Sequence, residues 1–350
     1  MKAWVLHEIG DIRFEEVEMP EINDNDVLVA VKAAGICGSD IPRIFETGAH
    51  NMPIIPGHEF SGQVVEIGDK VDRKWLNKRV GIFPLIPCRK CEPCKKKLYE
   101  MCRNYSYLGS RCNGGFADYC AVPADNLIEL PDNVTYERAA MLEPMSVAVH
   151  AIRRVAPKKE DAVVVHGLGT IGLFIVMFLQ DMGINNILVV GNKDFQKNIS
   201  LKLGIKEDNF CNSKTVNVSE FIRNRTVSGA DVYFECVGRN ETISSAVDTV
   251  APAGKVMLVG NPYSDISFDK NVYWKILRNQ ITVTGTWNST FTHDDNDDWH
   301  YVIKKLTAGN VKCEMLISDK MPLKELDSGF SIMHGKSKYY VKIMTVNDIK

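Results

Sequence analysis

The stretch that most constrains the fold of this chain is residues 163–172, with the sequence VVVHGLGTIG. A run of β-branched residues leads into Gly167, Gly169 and Gly172, and an apolar segment over residues 173–179 follows directly. This is the G-x-G-x-x-G pattern, placed between a predicted strand and a predicted helix. In that position the pattern is typical of dinucleotide binding, whereas glycines alone would be equally compatible with an ordinary tight turn.

Each glycine has a separate predicted task. Gly167 permits the tight turn, Gly169 lets the backbone approach a pyrophosphate, and Gly172 lets the helix pack closely on the sheet. Thr170 and Ile171 open the predicted helix, where unpaired N–H groups and the positive end of the helix dipole favour phosphate. We therefore expect these positions to bind a dinucleotide.

Strands and helices alternate after the glycine motif. The predicted strands cover residues 187–190, 231–236, 255–259 and 281–285, and the predicted helices cover residues 194–203 and 241–250. Such alternation of apolar strands with helices predicts an α/β fold with a doubly wound parallel sheet. Val259 and Gly260, at the end of one predicted strand, join the candidate cofactor-binding residues.

The first 130 residues have a different pattern, in which short β-rich runs alternate with turns. Residues 27–34, 61–68 and 78–83 are examples, and together they predict an irregular, partly closed β-barrel. Helical spacing begins over residues 136–150. With 350 residues the chain has room for two domains, which we expect at residues 1–150 and 151–287, with residues 288–350 returning to the first domain.

Composition and charge exclude several classes of partner. A net charge of −2 gives no reason to expect nucleic acid or an anionic membrane, and no apolar run is long enough to span a bilayer. The first residues lack the apolar core of a secretory signal, so we expect a cytoplasmic protein. Ten cysteines in such a chain, four of them clustered, favour metal binding over disulfides.

The clustered cysteines are Cys88, Cys91, Cys94 and Cys102, in a loop over residues 86–103. Four thiolates at this spacing can complete a tetrahedral zinc site with no open position, which predicts a structural role. An iron–sulfur cluster and unliganded thiols are the alternatives, although the spacing fits ferredoxin patterns poorly.

A second set of candidate ligands is dispersed along the chain. Cys37 lies two residues before Ser39, His58 is followed by Glu59, and Glu143 stands among apolar residues. One cysteine, one histidine and one carboxylate would leave a fourth zinc position for water or substrate, as in catalytic sites. Taken singly, His58 is equally compatible with a core histidine and Cys37 with a small buried apolar residue.

These motifs occur together and in a fixed order. The order is Cys37–Asp40, then Gly57–Glu59, the four-cysteine loop, Glu143–Pro144 and the glycine motif. In this respect the chain resembles the zinc-containing medium-chain dehydrogenases over nearly its whole length. Within that family it is most similar to the polyol and polyol-phosphate branch, which includes sorbitol and galactitol-1-phosphate dehydrogenases.

The resemblance implies a Rossmann domain, a GroES-like catalytic β domain and two zinc ions, one catalytic and one structural. Cys37, His58 and either Glu59 or Glu143 would hold the catalytic zinc, and Ser39 would pass the substrate proton outward. Asp40 would orient His58. Pro42 stands where many alcohol dehydrogenases have a relay histidine, so the proton would leave by another route.

The nicotinamide preference depends on the end of the second predicted strand. NAD-binding units usually carry an acidic residue there, which bonds the ribose 2′-hydroxyl. Here Gly191 takes that place, followed by Asn192 and Lys193. Loss of the carboxylate removes repulsion toward a 2′-phosphate, which favours NADP(H) over NAD(H). The alternatives are that Asp194 substitutes for the carboxylate and that Lys193 is merely solvated.

We expect reversible oxidation of a secondary alcohol on a polyol or polyol phosphate to a ketose. Arg43 and Arg111 are the candidates for binding a substrate phosphate, and Phe116 and Trp287 for lining the substrate site, although each could have a purely structural role. Dehydrogenases of free polyols, butanediol or threonine are the alternatives within the family, and a nucleotide-binding sensor is the alternative outside it. The resemblance also implies a homodimer or homotetramer.

Overall fold

The computed structural model describes residues 1–347, which form two compact units. One unit contains Met1–Ser146 and the segment from Ser289 onward, and the other is Val147–Asn288. The first boundary lies four residues before the expected position at residue 150 and falls inside a helix, Leu142–Val155. The second lies one residue after the expected position.

The second unit contains a parallel sheet with helices between its strands. Its strands are β10 (Val163–His166), β11 (Ile187–Gly191), β12 (Phe210–Asn212), β13 (Ala230–Glu235), β14 (Val250–Leu258) and β15 (Thr282–Gly285). The helices that follow the first five strands are α5 (Thr170–Asp181), α6 (Asp194–Lys202), α7 (Val218–Arg223), α8 (Asn240–Thr249) and α9 (Lys270–Arg278). The order across the sheet is β12-β11-β10-β13-β14-β15, and every pairing is parallel.

This order is that of a Rossmann fold, because the chain reverses its direction of travel across the sheet between β10 and β13. All four residues of β10 are buried, as are all eight residues from Gly172 to Leu179 in α5. A strand and a helix that are apolar all round belong at the centre of the unit, which is where they lie. β12, α7 and α9 were not predicted from the sequence, because their apolar runs are short.

The first unit is built on a mixed sheet of the GroES-like kind. The strands of this unit are β1 (Lys2–Glu8), β2 (Asp11–Glu16), β3 (Asp26–Gly35), β4 (Glu59–Ile67), β5 (Arg79–Ile82), β6 (Leu85–Ile86), β7 (Ser106–Tyr107), β8 (Tyr119–Pro123), β9 (Leu127–Glu129), β16 (Ile317–Met321) and β17 (Lys342–Val346). Separate two-stranded sheets are formed by β1 with β2 and by β6 with β7, and the other strands form the mixed sheet. The helices of this unit are α1 (Asp40–Pro42), α2 (Glu92–Lys95), α3 (Tyr136–Ala139), α10 (Asp298–Thr307) and α11 (Leu326–Gly335), and α4 (Leu142–Val155) begins here and continues into the second unit.

The longest strand, β3, organises this unit. It pairs with β4 along one edge, while β8 and β17 share the other edge. Because β17 comes from the C-terminal part of the chain, this pairing joins the two ends of the chain in one unit. Trp4 strengthens the same connection, since its indole donates a hydrogen bond to the carbonyl oxygen of Leu323 at 2.7 Å.

The helical segment expected over residues 136–150 is two helices rather than one. Thr135 caps α3, accepting a hydrogen bond from the backbone of Arg138, and α4 begins anew at Leu142. Pro144 explains the break, because it has no N–H to donate and is tolerated only in the first turn of a helix. Within residues 1–347, none of the helices combines the length and the apolar character needed to cross a bilayer.

Candidate metal centres and cofactor site

Pairing between β3 and β4 brings three of the predicted ligands together. Cys37 follows the end of β3, His58 precedes β4, and Glu59 is the first residue of β4, opposite Gly35. One ligand atom from each of Cys37, His58 and Glu59 lies within 4.8 Å of the others. We call these residues the Cys37–His58–Glu59 cluster. A side chain at position 35 would have its Cβ 2.5 Å from Oε2 of Glu59, so this carboxylate requires glycine opposite it.

Asp40 is a fully buried carboxylate that contacts two residues of this cluster, Cys37 and His58. It accepts a hydrogen bond from the backbone of Cys37 at 3.0 Å, and its Oδ1 lies 3.5 Å from Nδ1 of His58. The guanidinium of Arg43 pairs with the same oxygen. Burial raises the pKa of Asp40, but His58 and Arg43 together hold it below its usual value. The carboxylate therefore stays charged beside the imidazole.

Ser39, the residue immediately before α1, contacts the cluster. Its hydroxyl donates to the sulfur of Cys37 at 3.3 Å. This contact places an exchangeable proton next to a candidate metal ligand. The proximity of Ser39 to Cys37 is expected from the sequence, because the two residues are separated by a single residue.

Lys342 is a member of this site that the sequence analysis missed. It lies on β17 with 2% of its surface exposed, and its ammonium group pairs with Oε2 of Glu59 and donates to the carbonyl oxygen of Ile36 at 3.1 Å. Burial lowers the pKa of Lys342, but Glu59 and Cys37 raise it above its usual value overall. The available signal was a lysine at the start of β17, directly before the apolar residues Ile343 and Met344.

Glu143, at the start of α4, is not among the three residues grouped within 4.8 Å, but it interacts electrostatically with His58 and Glu59. It is buried, and Oε1 accepts a hydrogen bond from the hydroxyl of Tyr107 at 3.1 Å. Burial raises the pKa of Glu143 to about 7. Burial and the charge of Glu143 also raise the pKa of Tyr107 well above its usual value, so the phenol keeps its proton and is the donor. Tyr107 is the second residue that sequence reasoning did not find.

The four cysteines of the loop form a separate cluster. Their sulfur atoms all lie within 4.8 Å of one another, and the Cys91 sulfur lies 3.5 Å from that of Cys94 and 3.8 Å from that of Cys102. None of the four is in a disulfide. Tetrahedral zinc with Zn–S bonds of about 2.3 Å requires sulfur atoms about 3.8 Å apart. Cys88, Cys91, Cys94 and Cys102 therefore have the donor set and the spacing of a closed tetrahedral site.

The predicted substrate residues have different surroundings. Arg43 is engaged by Asp40, as described above. Arg111 lies with its guanidinium carbon 4.2 Å from the centre of the Tyr105 ring and donates to the Tyr105 carbonyl oxygen. Trp287 belongs to the other unit, with 54% of its surface exposed.

The prediction that Phe116 lines the substrate site is wrong. Phe116 is completely buried in the core of the first unit, where it packs against Phe330. Its backbone also pairs with that of Trp4 and Pro56. A Cβ on Gly57 would lie 2.6 Å from the Phe116 ring, so glycine at that position allows the close packing.

The predicted cofactor residues all follow carboxyl ends of parallel strands in the second unit. Gly167, Gly169, Thr170, Ile171 and Gly172 follow β10; Gly191, Asn192 and Lys193 end or follow β11; Val259 and Gly260 follow β14. Gly167 has φ of +102°, and a Cβ on Gly172 would lie 1.9 Å from the carbonyl oxygen of Gly167. A Cβ on Gly169 would meet nothing within 4 Å, so this backbone is open to a ligand. The carboxyl ends of these strands have the arrangement expected of a dinucleotide site.

Gln196 stabilises this edge and was also missed. Its amide oxygen accepts from the backbone of Asn192 at 2.9 Å, and its amide nitrogen donates to the carbonyl oxygen of Leu168 at 3.1 Å. It thus ties the end of β11 to the glycine motif. Lys193 lies with its ammonium nitrogen 5.5 Å from the centre of the Phe195 ring.

Comparison with known proteins identifies the family. The alcohol dehydrogenase GroES-like domain matches residues 23–132, and the zinc-binding dehydrogenase domain matches residues 170–308. Galactitol 1-phosphate 5-dehydrogenase of Escherichia coli K12 is 32% identical over 327 residues, which cover 91% of this chain and 92% of that protein. The chain belongs to the zinc-containing medium-chain dehydrogenases.

Other members of this dehydrogenase family agree with the assignment. Sorbitol dehydrogenase of Bacillus subtilis is 30% identical over 331 residues, covering 93% of this chain and 91% of that enzyme. The crystal structure of galactitol-1-phosphate dehydrogenase from Escherichia coli superposes with a TM-score of 0.91 at 29% identity, covering 99% of this chain and 100% of that one. The chain is therefore a zinc-dependent alcohol or polyol dehydrogenase, an oxidoreductase of the polyol branch.

Proposed function

We propose that this dehydrogenase oxidises a secondary alcohol of a polyol phosphate similar to galactitol 1-phosphate, reversibly and with NADP⁺. The observation that carries the proposal is the Cys37–His58–Glu59 cluster, which joins a thiol, an imidazole and a carboxylate within 4.8 Å. Three protein ligands leave a position for substrate, as catalytic zinc requires. A sensor without catalysis would have no need for this arrangement.

The two clusters fit two zinc ions with different roles. Cys37, His58 and Glu59 would hold the catalytic ion, and Cys88, Cys91, Cys94 and Cys102 the structural one. Charge supports the first assignment, because a divalent cation balances the Cys37 thiolate and the Glu59 carboxylate.

When bound, zinc supplies a Lewis acid that polarises an alcohol or carbonyl oxygen, and nicotinamide supplies the hydride acceptor. The protein supplies position and proton transfer. Asp40 keeps the His58 ring oriented, and Lys342 fixes the position of the Glu59 carboxylate through Oε2. Ser39, in contact with the Cys37 sulfur, takes the substrate proton and passes it to water. Pro42 has no titratable group, so it cannot continue the relay.

The preference for NADP(H) is supported by Gly191 at the end of β11. No carboxylate stands there to bond a ribose 2′-hydroxyl or to repel a 2′-phosphate. Lys193, two residues on, would pair with the 2′-phosphate. Phosphate groups of the cofactor would meet the N-terminus of α5 at Thr170 and Ile171.

Two arginines are the proposed binding groups for a substrate phosphate. Arg43 pairs with Asp40, which contacts the cluster, and Arg111 stacks on Tyr105, whose ring contacts that of Tyr107. Guanidinium groups favour dianionic phosphate. The relationship to galactitol 1-phosphate 5-dehydrogenase of Escherichia coli agrees with this choice, and the sorbitol dehydrogenase of Bacillus subtilis makes a free polyol the second candidate.

Initial oxidation rates test the substrate and the cofactor together. Galactitol 1-phosphate and sorbitol would each be supplied with NADP⁺ and with NAD⁺. We expect the highest kcat/KM for the phosphate with NADP⁺, and we expect Arg111→Gln to raise KM for the phosphate only. A preference for sorbitol would move the assignment to free polyols, and a preference for NAD⁺ would refute the interpretation of Gly191.

A further inference from the structure

The two buried carboxylates beside the proposed catalytic zinc are held by chemically different partners. Glu59 pairs with the ammonium of Lys342, whereas Glu143 accepts from the phenol of Tyr107. An ammonium partner offsets part of the charge of a carboxylate, whereas a neutral hydroxyl fixes its orientation without adding a charge of its own. A buried carboxylate without any partner would be strongly destabilising. Tyr107 therefore supplies a hydrogen-bond donor to Glu143 without placing a positive charge beside its carboxylate.

Tyr107 is rigidly placed for this task. Its backbone pairs with Leu85 in the short sheet of β6 and β7. Its carbonyl oxygen accepts hydrogen bonds from the backbones of Ser110, Arg111 and Cys112, at 3.2, 2.9 and 3.2 Å. Neither the sheet pairing nor the turn depends on the side chain. The main chain of Tyr107 is thus fixed independently of Glu143.

The ring of Tyr107 also touches the cluster directly. Its centre lies 5.7 Å from that of His58, and the two planes meet edge to face at 63°. One side chain thus contacts the candidate histidine ligand through its ring and the neighbouring carboxylate through its hydroxyl.

We propose that Tyr107 is a positioning residue of the metal centre, whose hydroxyl orients the Glu143 carboxylate toward the metal held by the Cys37–His58–Glu59 cluster. This proposal rests on the proposed function, because it requires a metal ion at that cluster. It assigns a role to a hydroxyl that Phe, of nearly the same shape, lacks. Removing the hydroxyl leaves Glu143 without its donor while keeping the ring against His58.

The test uses cobalt(II) in place of zinc, since its visible absorption reports the ligand geometry. Four proteins would be compared: wild type, Tyr107→Phe, Glu143→Gln and the double variant, with Tyr105→Phe as the matched control from the same aromatic group. Cobalt affinity would be measured by chelator competition, together with kcat and KM. The four-cysteine site contributes equally to every spectrum, so differences report the Cys37–His58–Glu59 cluster.

We expect Tyr107→Phe to shift the cobalt spectrum and to weaken cobalt binding at the cluster by about 10-fold to 100-fold, the usual effect of losing an outer hydrogen-bond partner. In the Glu143→Gln background the same change should have no effect, and Tyr105→Phe should resemble wild type. Equal effects in both backgrounds would overturn the proposal, because the hydroxyl of Tyr107 would then act independently of Glu143. No effect in either background would overturn it too. Failure of cobalt to bind the cluster in wild type would refute the proposed function itself.

Discussion

At the scale of single residues, the space beside Gly191 bears most directly on the choice of nicotinamide. A Cβ at this position would lie 2.8 Å from the amide oxygen of Gln196 and 3.2 Å from a methyl of Leu168. A larger side chain would displace the amide that joins Asn192 to the glycine motif. The residue therefore affects both the charge and the structure of the strand end.

We predict that Gly191→Asp weakens NADP⁺ binding at least about tenfold, because a carboxylate would repel the 2′-phosphate. It should not create tight NAD⁺ binding, because the Gln196 bonds are lost at the same time. Fluorescence titration with each cofactor measures both effects. Gly191→Ala is the control, since it adds the Cβ without the charge. Unchanged NADP⁺ affinity in Gly191→Asp would show that the 2′-phosphate lies elsewhere.

A second residue-scale prediction concerns His166 at the end of β10. Burial lowers the pKa of His166 to about 4, and Nδ1 lies 2.7 Å from the hydroxyl of Tyr233. In the unfolded chain the pKa is about 6.5, so the unfolded state binds a proton first as the pH falls. This group's stabilisation is complete above pH 6.5 and is lost as the pH falls toward 4.

His166 should thus account for about 2–3 kcal/mol of stability lost between pH 7 and pH 4.5. Urea unfolding across this range would measure it, with His166→Asn as the comparison because Asn keeps a polar group at the Nδ1 position and does not titrate. The variant should show a flatter pH dependence. Parallel curves for the two proteins would mean that His166 does not contribute.

At the scale of elements, the sequence predicted local motifs and secondary structure, but it did not predict contacts between distant parts of the chain. The glycine motif and the alternating strands predict the parallel sheet because their information lies within a few residues. The four cysteines are equally local. Lys342 and Tyr107 meet Glu59 and Glu143 only through strand pairing and helix placement between distant parts of the chain.

Dependence on a contact between residues distant in sequence also explains the wrong prediction for Phe116. Its burial depends on Phe330, which lies in α11 and is distant in sequence. Neighbouring glycines signal close packing and an exposed loop with equal strength. Only the tertiary arrangement distinguishes them. A lysine inside an apolar strand carries a clearer signal, because burying its charge requires an acidic partner.

The four-cysteine loop supports a prediction at this scale. Cys94→Ser should remove one zinc ion per chain, lower Tm by about 5 °C or more and make residues 86–103 sensitive to protease, because metal binding folds the loop. Cys112→Ser is the control, as Cys112 lies outside the cluster. Atomic emission and limited proteolysis provide the readout. Retention of both zinc ions in Cys94→Ser would refute the structural site.

At the scale of the whole molecule, we propose that the exposed side of the second unit is a contact surface between subunits. β15 is the edge strand of the parallel sheet, and the adjacent α9 exposes Tyr273, Trp274 and Leu277 while its Val272 and Ile276 pack against the core. Edge strands and exposed aromatic groups are typical of contacts between subunits. A second copy of the chain would cover both features, in agreement with the expected dimer or tetramer.

We predict that Trp274→Ala combined with Leu277→Lys lowers the oligomeric state, as measured by sedimentation velocity. A matched control, Leu76→Lys, changes an exposed leucine of the first unit that lies outside this surface. Wild type and control should sediment as the same oligomer. An unchanged oligomer in the double variant would place the interface elsewhere.

The measurement that tests the central claim most directly is zinc content and dehydrogenase rate in Cys37→Ser beside Cys112→Ser. Cys37→Ser should lose one zinc ion per chain and at least about 1000-fold in kcat, while it keeps the fold, the four-cysteine zinc and NADP⁺ affinity. Cys112→Ser should match wild type in all of these. Full zinc content or near-normal turnover in Cys37→Ser would contradict the assignment of the Cys37–His58–Glu59 cluster as the catalytic metal centre.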